Sequence, residues 1–97
     1  MSRPQKPRRI YEKPFYTYFA PLGVQNTRNI VEMTLDEYEA IRLIDIEGFT
    51  QEMCAKQMEV GRTTVQSIYQ SGRKKLAYCI VSGRTLIING GKYRICE

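Results

Sequence analysis

The stretch from Thr50 to Leu76, TQEMCAKQMEVGRTTVQSIYQSGRKKL, constrains the fold of this chain more than any other. It reads as two helices joined by a three-residue turn. Gln51 to Met58 is the first helix, Glu59-Val60-Gly61 the turn, and the second helix starts at Arg62 and runs past Leu76. Ala55 is small enough to let the two helices approach, and Val60 is an apolar plug for the corner. Val65, Ile68, Tyr69, Gly72 and Leu76 recur at helical spacing and give the second helix a buried stripe. Its other face carries Arg62, Thr63, Gln66, Ser67, Gln70, Arg73 and Lys74, and no acid occurs between Arg62 and Cys96. Arg, Gln, Ser and Thr are the side chains that read base edges in the DNA major groove.

The charge pattern agrees. The net charge of +5 divides into +4 over residues 1–13, −5 over residues 28–59 and +6 over residues 60–97. A polyanion would meet the two basic ends and avoid the acidic middle. With 97 residues the chain makes one small domain whose core a dimer interface would usefully enlarge. No apolar run approaches the ~18 residues of a membrane span, and the basic start lacks an apolar signal segment. A cytoplasmic protein with no membrane partner is therefore expected. Cys54, Cys79 and Cys96 are odd in number, widely spaced and without a His anywhere in the chain. Two buried thiols and one near the C-terminus are expected, with no metal site and no cofactor.

Residues 1–14 hold three prolines and the bases Arg3, Lys6, Arg8, Arg9 and Lys13, which predicts an extended basic arm. Such an arm either lies along phosphates or stays a solvated tail. Residues 15–22, FYTYFAPL, predict a strand ended by Pro21, with Phe15, Thr17 and Phe19 on one side and Tyr16 and Tyr18 on the other. Packing against the domain or a second subunit is preferred for these aromatics over stacking on bases. Residues 23–33 read as a loop and a short extended piece.

Residues 34–47 predict a helix opened by a capping box, Thr34-Leu35-Asp36-Glu37. Leu35, Tyr38, Ile41, Leu43, Ile44 and Ile46, with Ala40, supply its buried side, and Gly48 stops it. Its acids are read as a solvated face that repels DNA. Thr50 caps the next helix, and Gln51 stands near a phosphate beside that helix's N-terminus. Residues 62–82 predict one long helix with Gly61 at its cap. Beyond Gly83, the runs Thr85–Asn89 and Lys92–Cys96 flank Gly90-Gly91 and predict a β-hairpin, with Ile88 facing Tyr93 and Leu86 facing Ile95. A lone hairpin is marginal, so the Phe15–Phe19 strand is the expected third strand, from this chain or a second copy.

The helix-turn-helix resembles the sigma-factor region-four type. The whole chain resembles uncharacterised protein family 0251, also called domain of unknown function 134, a family of small predicted DNA-binding proteins. The residues that carry the likeness are Arg3-Pro4, Lys6, Arg8-Arg9-Ile10, Tyr18-Phe19, Pro21, Gly23, the helix Leu35 to Leu43, Glu47-Gly48, Gln51-Glu52, Arg62-Thr63-Thr64-Val65, and Gly90-Gly91 with Tyr93. One departure bears on the motif. The family-like turn is Gly-Val-Ser, whereas this chain has Glu59-Val60-Gly61, which places Glu where a left-handed residue is expected and removes the cap side chain.

The reading is thus a mainly α fold with a small β part: a basic arm and aromatic strand over 1–33, a helix-turn-helix domain over 34–82 and a C-terminal hairpin over 83–97. The expected function is sequence-specific binding of double-stranded DNA by a transcription regulator, a homodimer, with RNA polymerase or another regulator as a further partner. Arg62, Thr63, Thr64, Gln66, Ser67 and Gln70 are assigned to bases. Gln51, Arg73, Lys74, Lys75, Arg3, Lys6, Arg8 and Arg9 are assigned to phosphates. The rival readings are a protein-interaction module docking on transcription machinery and a binder of single-stranded RNA. No nucleophile stands beside a base, so an enzyme is not expected.

Overall fold

Thr34 opens the first helix as its capping box predicts. Its hydroxyl accepts from the Glu37 amide at 3.4 Å, and the Glu37 carboxylate accepts from the Thr34 amide at 2.8 Å. The computed structural model in which this is seen describes residues 8–10, 13–23, 30–90 and 93–95. Helix α1 spans Leu35–Ile41 and continues directly into a π-helical turn, Arg42–Ile46. The Glu47 amide donates to the Arg42 carbonyl, five residues back, at 3.0 Å. A turn that wide shifts the helical phase. Leu43 stays buried and Ile44 half-buried, but Ile46, expected on the buried side, is exposed. Gly48 follows with φ +76°, the left-handed turn that ends the segment.

Helices α2, Gln51–Met58, and α3, Arg62–Ser82, have the bounds read from the sequence. Ala40, Leu43, Cys54, Ala55, Met58, Val65 and Ile68 form one core cluster, with Ile44, Phe49, Val60 and Tyr69 packed on its margin. Ala55 and Val60 therefore occupy the approach and the corner as expected, whereas Met53 is exposed. Cys54 is sealed in this cluster, and burial pushes its thiol up to about 11, so it is a neutral packing residue. Cys79 is also buried and unbonded, and Cys96 lies outside the described residues.

The strands overturn the hairpin. Strands β1 (Arg8–Ile10), β2 (Tyr18–Phe19), β3 (Ile30–Met33), β4 (Thr85–Ile88) and β5 (Tyr93–Ile95) form two small sheets. In the first, β4 lies between β2, antiparallel, and β3, parallel, with Leu86 opposite both Phe19 and Val31. Both edges of β4 are thus taken, and no edge remains for β5. Instead β5 runs parallel to β1, with Ile95 level with Ile10. After β4 the chain turns toward α1: the Asn89 amide donates to Met33 O at 2.8 Å, and the Leu35 amide to Gly90 O at 3.0 Å. The expected pairing of the Phe15–Phe19 run with the C-terminal strands holds for Tyr18 and Phe19, but those two side chains are exposed.

Ile10, Met33, Leu35, Cys79, Leu86 and Ile88 make a second core between the sheet and α3, edged by Val31, Tyr38 and Ile41. The N-terminal segment is therefore not wholly a free arm: Ile10 is fully buried and β1 is paired. Among the described residues, no helix is long and apolar enough to cross a membrane.

Candidate nucleic-acid interface

The geometry of the motif follows from its caps. Thr50 Oγ1 accepts from the Met53 amide at 3.1 Å and opens α2. Glu59 ends it in the left-handed region, φ 57° and ψ 46°, its amide bonded back to Ala55 O and Lys56 O. Val60 N donates to Ala55 O at 3.0 Å, so the chain turns sharply and Val60 meets the core. Gly61 caps α3 by its backbone alone, its carbonyl accepting from Val65 N at 3.1 Å.

This places the first turns of α3 on the surface. Arg62, Thr63, Gln66, Ser67 and Gln70 are exposed, and Thr64 is half-buried. Val65, Ile68 and Gly72 face inward as expected, with Tyr69 half-buried, while Leu76 sits at the surface boundary. The residues assigned to bases from the sequence are thus brought together on one helix face, with Thr64 at its edge.

The phosphate set divides. Lys74 is exposed beyond Gln70, and Gln51 is half-buried at the start of α2. Arg73 lies 3.6 Å from Asp45 Oδ2, its guanidinium 5.4 Å from the Tyr69 ring centroid. Tyr69 donates to Asp45 Oδ1 at 2.6 Å, and that bond, more than burial, raises its phenol's pKa. Lys75 points away from the basic face: its Nζ lies 2.7 Å from Glu37 Oε1. Arg8 and Arg9 are on β1, and Arg3 and Lys6 lie outside the described residues.

The acids of α1 are not a solvated face. Asp36 and Glu37 are buried, and Glu39 is fully so. Glu39 is held by Arg42 Nε at 2.7 Å, and Glu37 takes Lys75, Ser71 and the Thr34 amide. Burial works to raise the Glu37 carboxyl, but those donors outweigh it and hold it below the ordinary range. Asp45 and Glu37 thus hold two bases of α3, Arg73 and Lys75, from outside that helix. The Tyr69 and Arg73 spacing of one helical turn was visible in the sequence; their acidic partner, 24 residues before Tyr69, was not.

Comparison with known proteins gives a full-length match. The family described as protein of unknown function DUF134 covers residues 1–96. The chain belongs to this family. A UPF0251 protein of Desulfitobacterium hafniense strain Y51 is 55% identical over 98 residues, covering 100% of this chain and 78% of that protein. A UPF0251 protein of Halothermothrix orenii strain H 168 is 42% identical over 99 residues, covering 100% of this chain and 73% of its own length. The UPF0251/DUF134 relative from Clostridium novyi strain NT is 46% identical over 94 residues, covering 96% and 64%. No solved structure gives a significant match.

Proposed function

We propose that this UPF0251/DUF134 protein binds double-stranded DNA sequence-specifically and regulates transcription, with α3 as the element that enters the major groove. The observation that supports this is the exposed face of α3 from Arg62 to Lys74, which carries no acid and stands on the second helix of a capped helix-turn-helix. Arg62, Thr63, Gln66, Ser67 and Gln70 are the base readers on this reading, with Thr64 at the rim. Lys74 grips a phosphate farther along the helix, and Gln51 another at the start of α2. Arg73 needs Asp45 displaced or shared before it serves the same role. Lys75 serves the fold instead.

Selection of bound duplexes from a random DNA pool, at stated salt, tests the reading. A defined motif should emerge, and Gln66→Ala should relax preference at one position. Lys74→Ala should weaken all sequences alike and lower the salt slope by about 0.9. Equal loss of preference from both variants refutes that division of roles. Enrichment of no motif, or equal competition by single-stranded RNA, refutes the DNA reading itself. Capture of polymerase that persists at high salt without DNA would favour the interaction module.

A further inference from the structure

The second core is open on one side. A groove of about 560 Å³ runs there, lined in its depth by Met33, Cys79, Leu86 and Ile88, all buried residues of that core. Phe19 and Pro21 stand on its β2 side, and Leu76 and Ile80 on its α3 side. The two sides meet at the C-terminal end of α3, where a Cβ added to Gly83 would lie 3.9 Å from Pro21 Cγ. Arg84, the next residue, is half-buried and is the one charged residue of the lining.

We propose that this groove binds a small apolar monocarboxylate, its tail lying along α3 and its head on the Arg84 guanidinium. The inference does not rest on the DNA-binding reading, because no residue assigned to DNA lines the groove.

Depth against breadth chooses a small molecule over a protein. The large apolar side chains of the lining that are exposed, Phe19, Leu76 and Ile80, show roughly 300 Å² in all, taking ~200 Å² for each whole side chain. That is an ordinary patch for a monomer, whereas a protein partner covers about 800 Å². The volume, in contrast, falls inside the ~300–1,000 Å³ of small-molecule sites, and the lining is apolar with one charge, as such sites are built. Leu76 to Gly83 is about 10 Å of helix at 1.5 Å per residue, close to the reach of an extended ten-carbon chain.

Arg84 chooses the head group. Its guanidinium lies 5.4 Å from the Tyr78 ring centroid. A ring contact of this kind attracts the charge but leaves in-plane N–H donors for another acceptor. Among the described residues no carboxylate pairs with it. Its charge is felt inside the groove: burial pushes the Cys79 thiol up, and Arg84 works against that rise. One cation matches one negative charge, and a phosphate dianion would bring a second charge to an apolar lining that holds no second base. The carbonyl end of α3 disfavours any anion here, by up to about 5-fold in affinity. Charge-assisted hydrogen bonds to a guanidinium outweigh that, being worth about 10-fold or more.

The test is calorimetric titration of the full chain with decanoate, and with 1-decanol as its uncharged counterpart. One decanoate should bind per chain, about 10-fold or more tighter than 1-decanol. Arg84→Gln should weaken decanoate by about 10-fold or more and leave 1-decanol within about twofold. Ala20→Trp, which adds a ring at an exposed residue of the lining, should weaken both. Lys56→Gln removes an exposed base that does not line the groove, and should change neither. Circular dichroism should show every variant equally helical; should Ala20→Trp lose helicity, Leu76→Trp fills the groove from the other side. A chain that takes no decanoate, or takes both probes equally, overturns the proposal. So does equal loss from Arg84→Gln and Lys56→Gln, or decanoate binding that survives the filling of the groove.

Discussion

Lys75 Nζ sits 2.7 Å from Glu37 Oε1, and this pair fastens the long third helix to the first turn of α1. The same carboxylate caps its own helix through the Thr34 amide and accepts from Ser71 Oγ. Lys75→Met strands a buried anion. A fully buried pair broken on one side costs ~3–5 kcal/mol; with Lys75 partly exposed, roughly 2 kcal/mol is expected in urea unfolding. At a salt where both variants remain folded, the DNA salt slope should be unchanged by Lys75→Met and lowered by Lys74→Ala.

Acid should act through Glu37. Its folded carboxyl lies below the ordinary 4.5, because the Lys75, Ser71 and Thr34 donors outweigh burial. A depressed folded value contributes stability that is present above the unfolded value and lost as pH falls through the folded one. The urea midpoint should therefore hold steady above about pH 5.5 and drop below about pH 4.5. Glu37→Gln should start lower and show a shallower acid limb.

Glu59 is the described non-glycine residue with positive φ, at 57°. A left-handed residue with a Cβ carries a strain of ~1–2 kcal/mol, and glycine loses ~0.5–1 kcal/mol more chain entropy on folding. Glu59→Gly should thus raise stability by roughly 0.5–1 kcal/mol. Glu59→Val, branched at Cβ, should lower it. Paired thermal melts of the two variants check the sign.

Gly72 is required by proximity. A Cβ there would stand 3.0 Å from Ile41 Cδ1 and 3.1 Å from Glu37 Cβ. Gly72→Val forces α3 away from α1 and should cost about 2–3 kcal/mol, with Lys75 drawn off Glu37. Guanidinium unfolding measures the loss, and an unchanged midpoint would mean that the helices do not meet at this point.

The helices were legible because their signals are local. Thr34, Thr50, Glu59-Val60-Gly61 and Gly83 punctuate them within a few residues, and α2 and α3 have the predicted bounds. The strands were not legible, because Gly90-Gly91 is a good local turn signal whereas β4 is decided by distant partners. Ile88 pairs with Met33, and Ile87 pairs with Tyr18. The acids of α1 have ordinary surface spacing, and the burial of Glu37 is made tolerable by donors that include Ser71 and Lys75, 34 and 38 residues farther along the chain. Ile46 was misplaced because a π turn is not written in apolar periodicity. The exposure of Arg62, Thr63, Gln66, Ser67 and Gln70 along α3 follows from helical spacing alone; the separation of Lys75 from Lys74 depended on tertiary packing.

The parallel strands β3 and β4 enclose every helix of the motif between them, since the chain leaves β3 at Met33 and re-enters the sheet at Thr85. Excising residues 34–82 to obtain a minimal reading head would strip Met33, Leu86 and Ile88 from Leu35 and Cys79 and leave that half of the interior wet. Deletion mapping from either end would then score collapse of the scaffold as absence of recognition. Point substitutions on the intact chain are the informative route to the binding surface.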